Sequence, residues 1–490
     1  MSNAVKLAEE QENSEFISAV PESANPESIL EGPPILLPIW RDLPLNKTVW
    51  ALALPSVTAM LLQTVNSLMD TFFVGHLPHS AQALAATGVG AGINFLLISV
   101  AMGVSVGTTA LVARFTGAKD HESAVLATGQ SITLSFILGS VFCLLFFLIR
   151  HSLVEVLLDG PRNQEAARLC VSFVEMALIG CVPIFVMNVL NGAFRGIGDT
   201  RTPLYITFVQ IAVHITTNYL LIYGHFGFPA LGVKGAGIAL CLSVFVGCLL
   251  YIPALLKLTH LGDALKPKNL AFNMEWTNRI LKIGIPASIQ AVVRTLGMMS
   301  FTGMLAHTVE GAAGVAALQI GIRAEAIAFM PGFGYSVAAA ALVGQSLGAK
   351  RPDLAERYGW AANAQAMVVM AFMAIIYFVF ADYFANLFTT DMTVHRLGVQ
   401  FLRLGAPFEV FLALGMVLTG ALQGAGDTIR PTIITFVTMW VMRIPLGILL
   451  MFGLHMNTLG AWWAMNVTTL IGGVWVVFLF KSGKWKKIKV

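Results

Sequence analysis

Charged residues are scarce in this chain of 490 residues, where Asp, Glu, Lys and Arg together make up 11%. A soluble domain carries about 25% charged residues, so this composition cannot cover a water-exposed surface of such a size. Strand-like alternation is also missing, which excludes a transmembrane barrel. The sequence does have apolar runs that follow one another from Trp50 to Phe480, each about as long as a membrane helix requires. We therefore predict an all-α integral membrane protein.

Signatures of catalysis are missing as well. The sequence has no HExxH or GxSxG motif, and its five cysteines lie in apolar stretches without CxxC spacing. A channel would need rings of identical groups around one pore, which two dissimilar sets of charges do not supply. We expect a protein that is not an enzyme, with no catalytic residue, metal, cofactor or nucleic-acid partner, surrounded by membrane lipids.

Residues 1–44 contain seven Glu and one Lys, and we predict a disordered acidic cytoplasmic tail there. Beyond this tail the hydrophobic pattern predicts twelve membrane helices. Their predicted ranges are 48–74, 87–113, 124–149, 165–193, 203–225, 231–257, 279–306, 318–344, 357–381, 396–421, 431–452 and 458–481.

Two segments of the sequence occur twice. Residues 105–119 read SVGTTALVARFTGAK and residues 336–350 read SVAAAALVGQSLGAK, an offset of 231. Residues 191–209 and 419–437 form a second pair, NGAFRGIGDTRTPLYITFV and TGALQGAGDTIRPTIITFV, at an offset of 228. We predict two parallel-repeat lobes of six helices with substrate bound between them. The lobes span 45–258 and 279–481, with a cytoplasmic linker at 259–278 and a basic cytoplasmic C-terminus at 482–490.

Short motifs predict local breaks in the helices. Each repeated GxGDT sequence is followed by a proline, which predicts a helix stop, a turn and a restart at Asp199 and Asp427. We interpret both loops as structural corners. The MPGFGY run at 330–335 predicts a kink that serves either as a hinge or as a point of close helix approach.

Lys and Arg are unevenly divided between the two sides of the membrane. If the N-terminus is cytoplasmic, that side receives most of them, including the five lysines between 481 and 489. The opposite loops carry only Arg150, Arg162, Arg168, Lys234 and Arg396. We predict a multi-pass protein of the plasma (inner) membrane with both termini cytoplasmic.

Three motifs together resemble one transporter family. They are the first helix with Pro55, Gln63 and MDTFFVGHL, the RGIGDTRTP and QGAGDTIRP loops, and RAEAIAFMPGFGYSVAAAALVGQSLGA at 323–349. These residues resemble the multidrug and toxic compound extrusion (MATE) family, most closely its DinF-like branch. The resemblance implies a V-shaped pair of lobes with alternating access, which exports small organic cations or amphipathic compounds as an antiporter against H⁺ or Na⁺. We expect a monomer.

Asp70 is a carboxylate in an apolar helix, where a charge is costly unless it pairs, faces water or titrates. It is either an ion or proton site or a group that meets headgroups at the helix end. The resemblance places Asp70 on the acid that these transporters use for coupling. Sodium-linked relatives add an Asn and an Asp on the fifth helix and a Thr on the sixth, which correspond here to Asn218, Ile222 and Leu240. Because two oxygen ligands are missing, we favour H⁺ over Na⁺, with Asp70 and Asn218 as the ion-coupling residues.

Other polar residues lie within predicted helices. The candidates for the substrate cavity are Gln63, Asn66, Asn94, Asn191, His214, Glu325 and Glu409. His214 either packs between helices or relays protons, and Glu325 either pairs with another helix or lines the cavity. For Glu409 we favour a titrating or cation-binding role, and for Arg294 and Arg443 structural pairing or snorkelling. In the repeat, Phe301 is the residue of the second half that corresponds to Asp70 in the first. The two halves therefore differ in chemistry at this position.

A flippase for lipid-linked oligosaccharides, from a related superfamily, is the alternative function. Its cavity would have to neutralise a pyrophosphate and would need basic residues inside both halves. The clear intramembrane charge of the first half is instead an acid, Asp70. This favours efflux of cationic or neutral cargo.

Overall fold

The fold was analysed in a computed structural model that describes residues 44–77, 80–158, 164–488 and 490. Within these ranges the regular elements are helices, and no strand is found. Ten helices are long and apolar enough to cross a membrane, and two bent pairs raise the number to twelve if each pair is one span. The predicted all-α membrane fold is confirmed. The predicted acidic tail up to residue 43, together with Arg162, lies outside the described residues.

The helices of the first half are α1 (Leu45–Gly75), α2 (Ser80–Gly117), α3 (His121–Leu157), α4 (Gln164–Ile179), α5 (Cys181–Gly196), α6 (Arg201–Tyr223) and α7 (Val233–Leu258). Those of the second half are α8 (Met274–Leu305), α9 (Gly311–Gly348), α10 (Pro352–Phe388), α11 (Met392–Gly405), α12 (Glu409–Gly424), α13 (Ile429–Phe436), α14 (Ile444–Ile448) and α15 (Asn457–Lys481). The π-helical stretches Val437–Arg443 and Leu449–Gly453 join α13 and α14 into one span, Ile429–Gly453.

Several predicted helices are interrupted. The fourth is divided into α4 and α5, which meet at Gly180 with a bend of 52°. The tenth is divided into α11 and α12 by a 3₁₀ turn, Ala406–Phe408, because Pro407 cannot donate a backbone hydrogen bond. A third bend of 51° divides α9 between Ala326 and Phe329, just before Pro331. Backbone groups released at such breaks are tolerated in a membrane only where protein or water satisfies them.

Among the described residues, the buried hydrophobic side chains form four clusters. One lies within the first half around Phe185, and another lies within the second half around Phe301. The other two are shared, because α1 contributes Val49 to a cluster of the second half and α8 contributes Ile280 and Ile283 to a cluster of the first. The first helix of each half therefore begins in the core of the other half.

At one end of the bundle, α2 and α9 meet through the repeated sequence. A Cβ atom on Gly117 would lie 1.9 Å from the carbonyl oxygen of Gln345, and one on Gly348 would lie 1.9 Å from that of Arg114. Gly117 and Gly348 are 231 positions apart, and so are Arg114 and Gln345. Each contact is therefore the equivalent of the other, and the repeated segment packs against its own copy. Gln345 also donates its Nε2 to the carbonyl oxygen of Gly196 at 2.7 Å. These contacts close this end of the bundle.

The C-terminal segment ties the halves together at the same end. Trp485 is fully buried, stacks on Phe480 and donates its Nε1 to the Phe480 carbonyl oxygen at 2.7 Å. Arg114, at the end of α2, donates its Nη2 to the carbonyl oxygen of Ile488 at 2.7 Å. The segment predicted as a basic C-terminus is therefore a packed part of the fold at these residues.

The two GxGDT loops use their aspartates differently. Asp199 accepts hydrogen bonds at its Oδ1 from the backbone N–H groups of Arg201 and Thr202, each at 3.0 Å, and so caps the start of α6. Asp427 is 4% exposed and pairs with Arg430 at 3.1 Å. Burial raises the pKa of the Asp427 carboxyl, and the nearby Arg430 guanidinium opposes this change. Both loops are structural corners, as predicted.

We expect Asp199→Ala to lower the free energy of unfolding by about 1 kcal/mol, the usual cost of losing a capping side chain. Thermal unfolding of the purified protein in detergent measures this change. The matched control is Asp263→Ala, because Asp263 forms only an exposed side-chain pair with Lys266, at 2.8 Å. Equal stability of the two variants would contradict the capping role.

Candidate functional site

Asp70 lies in α1, five residues before the helix ends at Gly75. Its side chain is 40% exposed, and its Oδ1 accepts a hydrogen bond from Nδ2 of Asn218 at 2.6 Å. The same Oδ1 lies 2.8 Å from Nε2 of His214. Asp70 therefore neither caps the helix nor stands alone: it faces α6 on one side and open space on the other.

The partners of Asp70 sit on one face of α6. His214 and Asn218 are four residues apart, a spacing that places both on the same side of a helix. They are 3% and 1% exposed, and Nδ2 of Asn218 lies 3.1 Å from Nε2 of His214. Ile222, one turn further, is also buried, so this face continues as an apolar surface. The carboxyl of Asp70 is thus the accessible edge of a buried polar cluster.

Ser243 on α7 completes this cluster. Its hydroxyl donates to the carbonyl oxygen of Leu240 at 2.9 Å, and its Oγ lies 3.2 Å from Nδ1 of His214. Because a hydroxyl has a single proton, Nδ1 donates to Ser243 while that hydroxyl donates to Leu240, and Nδ1 accepts when the hydroxyl turns towards the imidazole. The imidazole thus links Ser243 on one side to Asp70 on the other.

Sequence reasoning missed Ser243. It sought a hydroxyl at Leu240, whereas the hydroxyl stands one helical turn later and faces the imidazole rather than the carboxylate. The available signal was a serine among apolar residues of α7, CLSVFVG at 241–247. Within the described residues, no group of three or more His, Cys, Asp or Glu side chains could hold a metal ion.

The other candidates from the first half lie apart from these hydrogen bonds. Gln63 is exposed on α1. Asn66 and Asn94 each keep a buried carboxamide oxygen for which the described residues supply no hydrogen-bond partner. Asn191 instead accepts a hydrogen bond from the hydroxyl of Tyr251 at 2.6 Å, which gives it a structural contact. The acceptor oxygens of Asn66 and Asn94 are thus unused and buried in this conformation.

The candidates from the second half form a separate group. Glu409, the first residue of α12, is 4% exposed. Both Glu409 and Arg443 are close enough to Glu325 to act on it electrostatically. Arg443 is 7% exposed and donates to the hydroxyls of Thr468 and Thr469 at 2.8 and 3.1 Å. Glu325 therefore has charged neighbours on other helices, although no ion pair joins it to them within the described residues.

Arg294 and Arg323 differ from Arg443. Both are exposed in the structure, on α8 and α9 respectively. Arg403 is exposed too and pairs with Asp382 at 2.5 Å. Of these four arginines, Arg443 is the one whose side chain is buried by its neighbours.

The sequence profile of the MatE family matches residues 55–220 and 286–449. These ranges include Asp70, His214 and Asn218 of the first group and Glu325, Glu409 and Arg443 of the second, and Ser243 lies between them. A probable multidrug resistance protein NorM from Thermotoga maritima is 31% identical over 90% of this chain and 94% of its own length. A protein of the same name from Bacillus cereus is 28% identical over 84% of this chain and 89% of its own length.

Solved structures share the fold over nearly the whole chain. A multidrug resistance MATE family transporter of the MOP superfamily, in an outward-facing conformation, superimposes with a TM-score of 0.82 at 25% identity. It covers 90% of this chain and 97% of its own. A MOP superfamily transporter from Pyrococcus furiosus, described as having a binding pocket of reverse polarity that suggests a different function, gives the same TM-score and identity.

Proposed function

Since the chain belongs to the MATE family of multidrug efflux transporters, we propose that it exports organic cations or other amphipathic compounds in exchange for protons. The observation that carries this proposal is the hydrogen-bonded group of Asp70, His214, Asn218 and Ser243, which has room for one exchangeable proton. Membership of this family favours efflux over the flippase alternative. The DinF-like branch stays our prediction from the motifs, because the curated relatives described above carry the name NorM.

The proton cycle follows from the donors and acceptors of the cluster. With the proton present, Nδ1 of His214 donates to Ser243 and the proton lies between Nε2 and Asp70. When it leaves to water, the Asp70 carboxylate would face the lone pair of Nε2. In the other imidazole tautomer the Ser243 hydroxyl donates to Nδ1 and Nε2–H donates to Asp70. Reaching that tautomer requires the Nδ1 proton to pass to water and Nε2 to take a proton from water. Loss of the stored proton makes the cluster more negative by one charge, and the change of tautomer leaves its charge unaltered.

Sodium fits this site less well than a proton. Na⁺ would require several oxygen ligands, and the positions of the two additional ligands hold Ile222 and Leu240. The position next to the carboxylate is instead taken by an imidazole, which binds protons rather than alkali cations. Within the cluster, the carboxylate of Asp70 is partly exposed, and Oδ1 of Asn218 has no hydrogen-bond partner among the described residues.

Cargo recognition is proposed for polar side chains of α1 and α2. Gln63 is exposed on α1. The unpartnered oxygens of Asn66 and Asn94, which are buried in this conformation, would accept hydrogen bonds from N–H groups of a cationic cargo once helix movement exposed them. An anionic Asp70 would attract the same cations, so cargo and proton would compete for one charge. Such competition is sufficient for antiport.

Orientation is proposed from the distribution of Lys and Arg, which places both termini in the cytoplasm and the protein in the plasma membrane. In that orientation, the end closed by Gly117 and Gly348 faces the cytoplasm. The structure then corresponds to a state that is closed inward, from which cargo leaves to the outside. We propose that a monomer carries out the full cycle.

The test is transport of a fluorescent organic cation into liposomes that contain the purified protein, with pH and sodium gradients imposed separately. We expect accumulation with an acidic lumen and no sodium, and no accumulation from a sodium gradient at equal pH. Accumulation driven by sodium alone would contradict proton coupling. If neither the pH gradient nor the sodium gradient drives accumulation, antiport of this cargo is contradicted.

A further inference from the structure

Two cavities adjoin each other along α10. One has a volume of about 470 Å³ and lies between the start of α1, at Leu45 and Asn46, and Arg357 and Trp360 of α10. The other has a volume of about 480 Å³ and lies between α10, α12 and α15. Trp360 lines both cavities, so we call them together the α10 groove. Each volume is within the range of about 300–1,000 Å³ that is usual for small-molecule sites.

The α10 groove lies on a surface that faces the membrane. Ala364, which lines the groove, is exposed. The same face of α10 continues with Val368, Phe372 and Ile375, which are also exposed and follow at spacings of four, four and three residues. Phe478 of α15, on the other side of the groove, is exposed as well. An apolar surface of this extent in a membrane protein meets lipid.

The chemistry of the groove changes along its length. Arg357 lies in the second turn of α10, is exposed, and forms no ion pair within the described part of the chain. Trp360 follows one turn later, and indole side chains are typical of the boundary between headgroups and hydrocarbon. The rest of the groove is mainly apolar, with Met367, Leu414 and Phe478 among its lining residues. A phospholipid has the same order of charge, polar boundary and hydrocarbon.

Basic residues accumulate near the charged end of the groove. Nζ of Lys486 lies 2.5 Å from Oε2 of Glu356, so the C-terminal 3₁₀ turn lies beside the start of α10. Lys484 and Lys487 belong to the same turn and are exposed. Glu356 is neutralised by its partner, and the exposed acid nearby is Asp353. Basic clusters directly beyond a membrane helix attract anionic lipid headgroups.

Asn363 provides a polar group inside the groove that is poorly satisfied. It is 2% exposed, and its Oδ1 has no hydrogen-bond partner among the described residues. Its Nδ2 donates to the sulfur of Met367 at 3.3 Å, and a thioether is a weak acceptor. Asn363 is six residues after Arg357, about 9 Å further along the helix and beyond a headgroup layer of about 5–8 Å. An ester carbonyl oxygen of a lipid at this depth would be a better acceptor.

We propose that the α10 groove binds one anionic phospholipid of the surrounding leaflet. Arg357 binds the phosphate, and the indole of Trp360 lies against the glycerol. Nδ2 of Asn363 donates to an ester carbonyl oxygen, and an acyl chain lies against Met367 and Phe478. Because α1 begins at one side of the headgroup and α10 at the other, the lipid joins an element of the first half to the second. The proposal does not depend on which ion or cargo is transported.

Native mass spectrometry of the full chain tests this site. The protein is purified in detergent and mixed with phosphatidylglycerol, which is anionic, or with phosphatidylcholine of the same acyl chains, which has no net charge. We expect the first phosphatidylglycerol to bind at least about fivefold more tightly, the factor that corresponds to about 1 kcal/mol for one basic residue at an anionic surface. Equal binding of the two lipids would overturn the proposal.

Arg357→Gln is expected to remove this preference and to keep the affinity for phosphatidylcholine. The side chain is exposed, so the melting temperature should not change. The control is Lys257→Gln, which removes an exposed positive charge from the end of α7 in the other half and should bind phosphatidylglycerol as the wild type does. Equal loss in both variants would indicate attraction to the protein's overall charge and would contradict a site at Arg357.

Ala364→Phe tests the apolar part without changing any charge. The larger side chain would occupy the groove from an exposed position, so we expect weaker binding of both lipids. Val368→Phe is its control, because Val368 lies one turn further on the same face and does not line the groove. Wild-type affinity for phosphatidylglycerol in Ala364→Phe would overturn the proposal, even if Arg357→Gln did not fold. Failure of the wild type to bind either lipid would overturn it too, since another occupant would then fill the groove.

Discussion

Asp70→Asn is expected to reduce cargo accumulation to a ratio of about 1, the value for a carrier that no gradient drives. The substitution keeps an oxygen that can accept from Asn218 and His214, so the hydrogen bonds at 2.6 and 2.8 Å have a replacement. It removes the charge and the capacity to exchange a proton. Accumulation under an acidic lumen measures the loss, and thermal unfolding in detergent shows whether the fold is retained.

The control for this variant is Asp382→Asn. Asp382 pairs with Arg403 at 2.5 Å, but both side chains are about half exposed, so the pair contributes little to stability and lies away from Asp70. We expect accumulation by this control to equal that of the wild type. Full accumulation by Asp70→Asn under a pH gradient would refute the coupling role. Exchange of labelled for unlabelled cargo without a gradient requires no proton, so Asp70→Asn should slow it only through the lost attraction between the carboxylate and the cargo.

Gly117→Ala is expected to reduce transport at least about tenfold, which corresponds to a loss of about 1.4 kcal/mol from the closed state. The added Cβ would lie 1.9 Å from the carbonyl oxygen of Gln345, whereas ordinary contacts begin at 3.4 Å. The two halves must therefore separate by about 1.5 Å, the difference between these distances. Both sides of the contact are backbone, so no side chain can move away to relieve it.

Two glycine controls separate closure from folding. Gly88 lies in the same helix as Gly117 and has open space around its Cβ position, so Gly88→Ala should transport normally. A Cβ on Gly424 would lie 2.1 Å from the Ala340 carbonyl oxygen within the second half, so Gly424→Ala should lower the melting temperature. We expect Gly117→Ala to keep the wild-type melting temperature. A lowered melting temperature together with normal transport by Gly117→Ala would contradict a role in closure.

The fold could be predicted from the sequence because a membrane helix satisfies its backbone hydrogen bonds locally. Each long apolar run therefore indicated one span without reference to the others. Breaks at Gly180 and Pro407 were not predicted, although both residues are helix breakers. In lipid the hydrophobic pattern continues through such a break, so it gives no sign that the helix bends.

Parts of the site depended on information that the sequence does not contain. Asp70 and His214 were both candidates, but their hydrogen bond joins residues 144 positions apart and depends on how α1 and α6 are rotated about their axes. Ser243 was missed for the same reason, because a shift of one turn along α7 changes which neighbour a hydroxyl meets. Glu325 and Glu409 were considered singly: the kink after Glu325 was expected from the MPGFGY run, whereas the 3₁₀ turn before Glu409 was not predicted.

The reciprocal contact of Gly117 and Gly348 has an evolutionary consequence. A segment that packs against its own copy behaves like the interface of a symmetric dimer, where each substitution would appear twice in the contact. Once both copies belong to one chain, they can diverge separately. Arg114 and Gln345 are equivalent by the offset of 231, yet one binds the carbonyl of Ile488 and the other that of Gly196. Fusion of two copies thus permits an acid in one half, Asp70, where the other half has the buried Phe301.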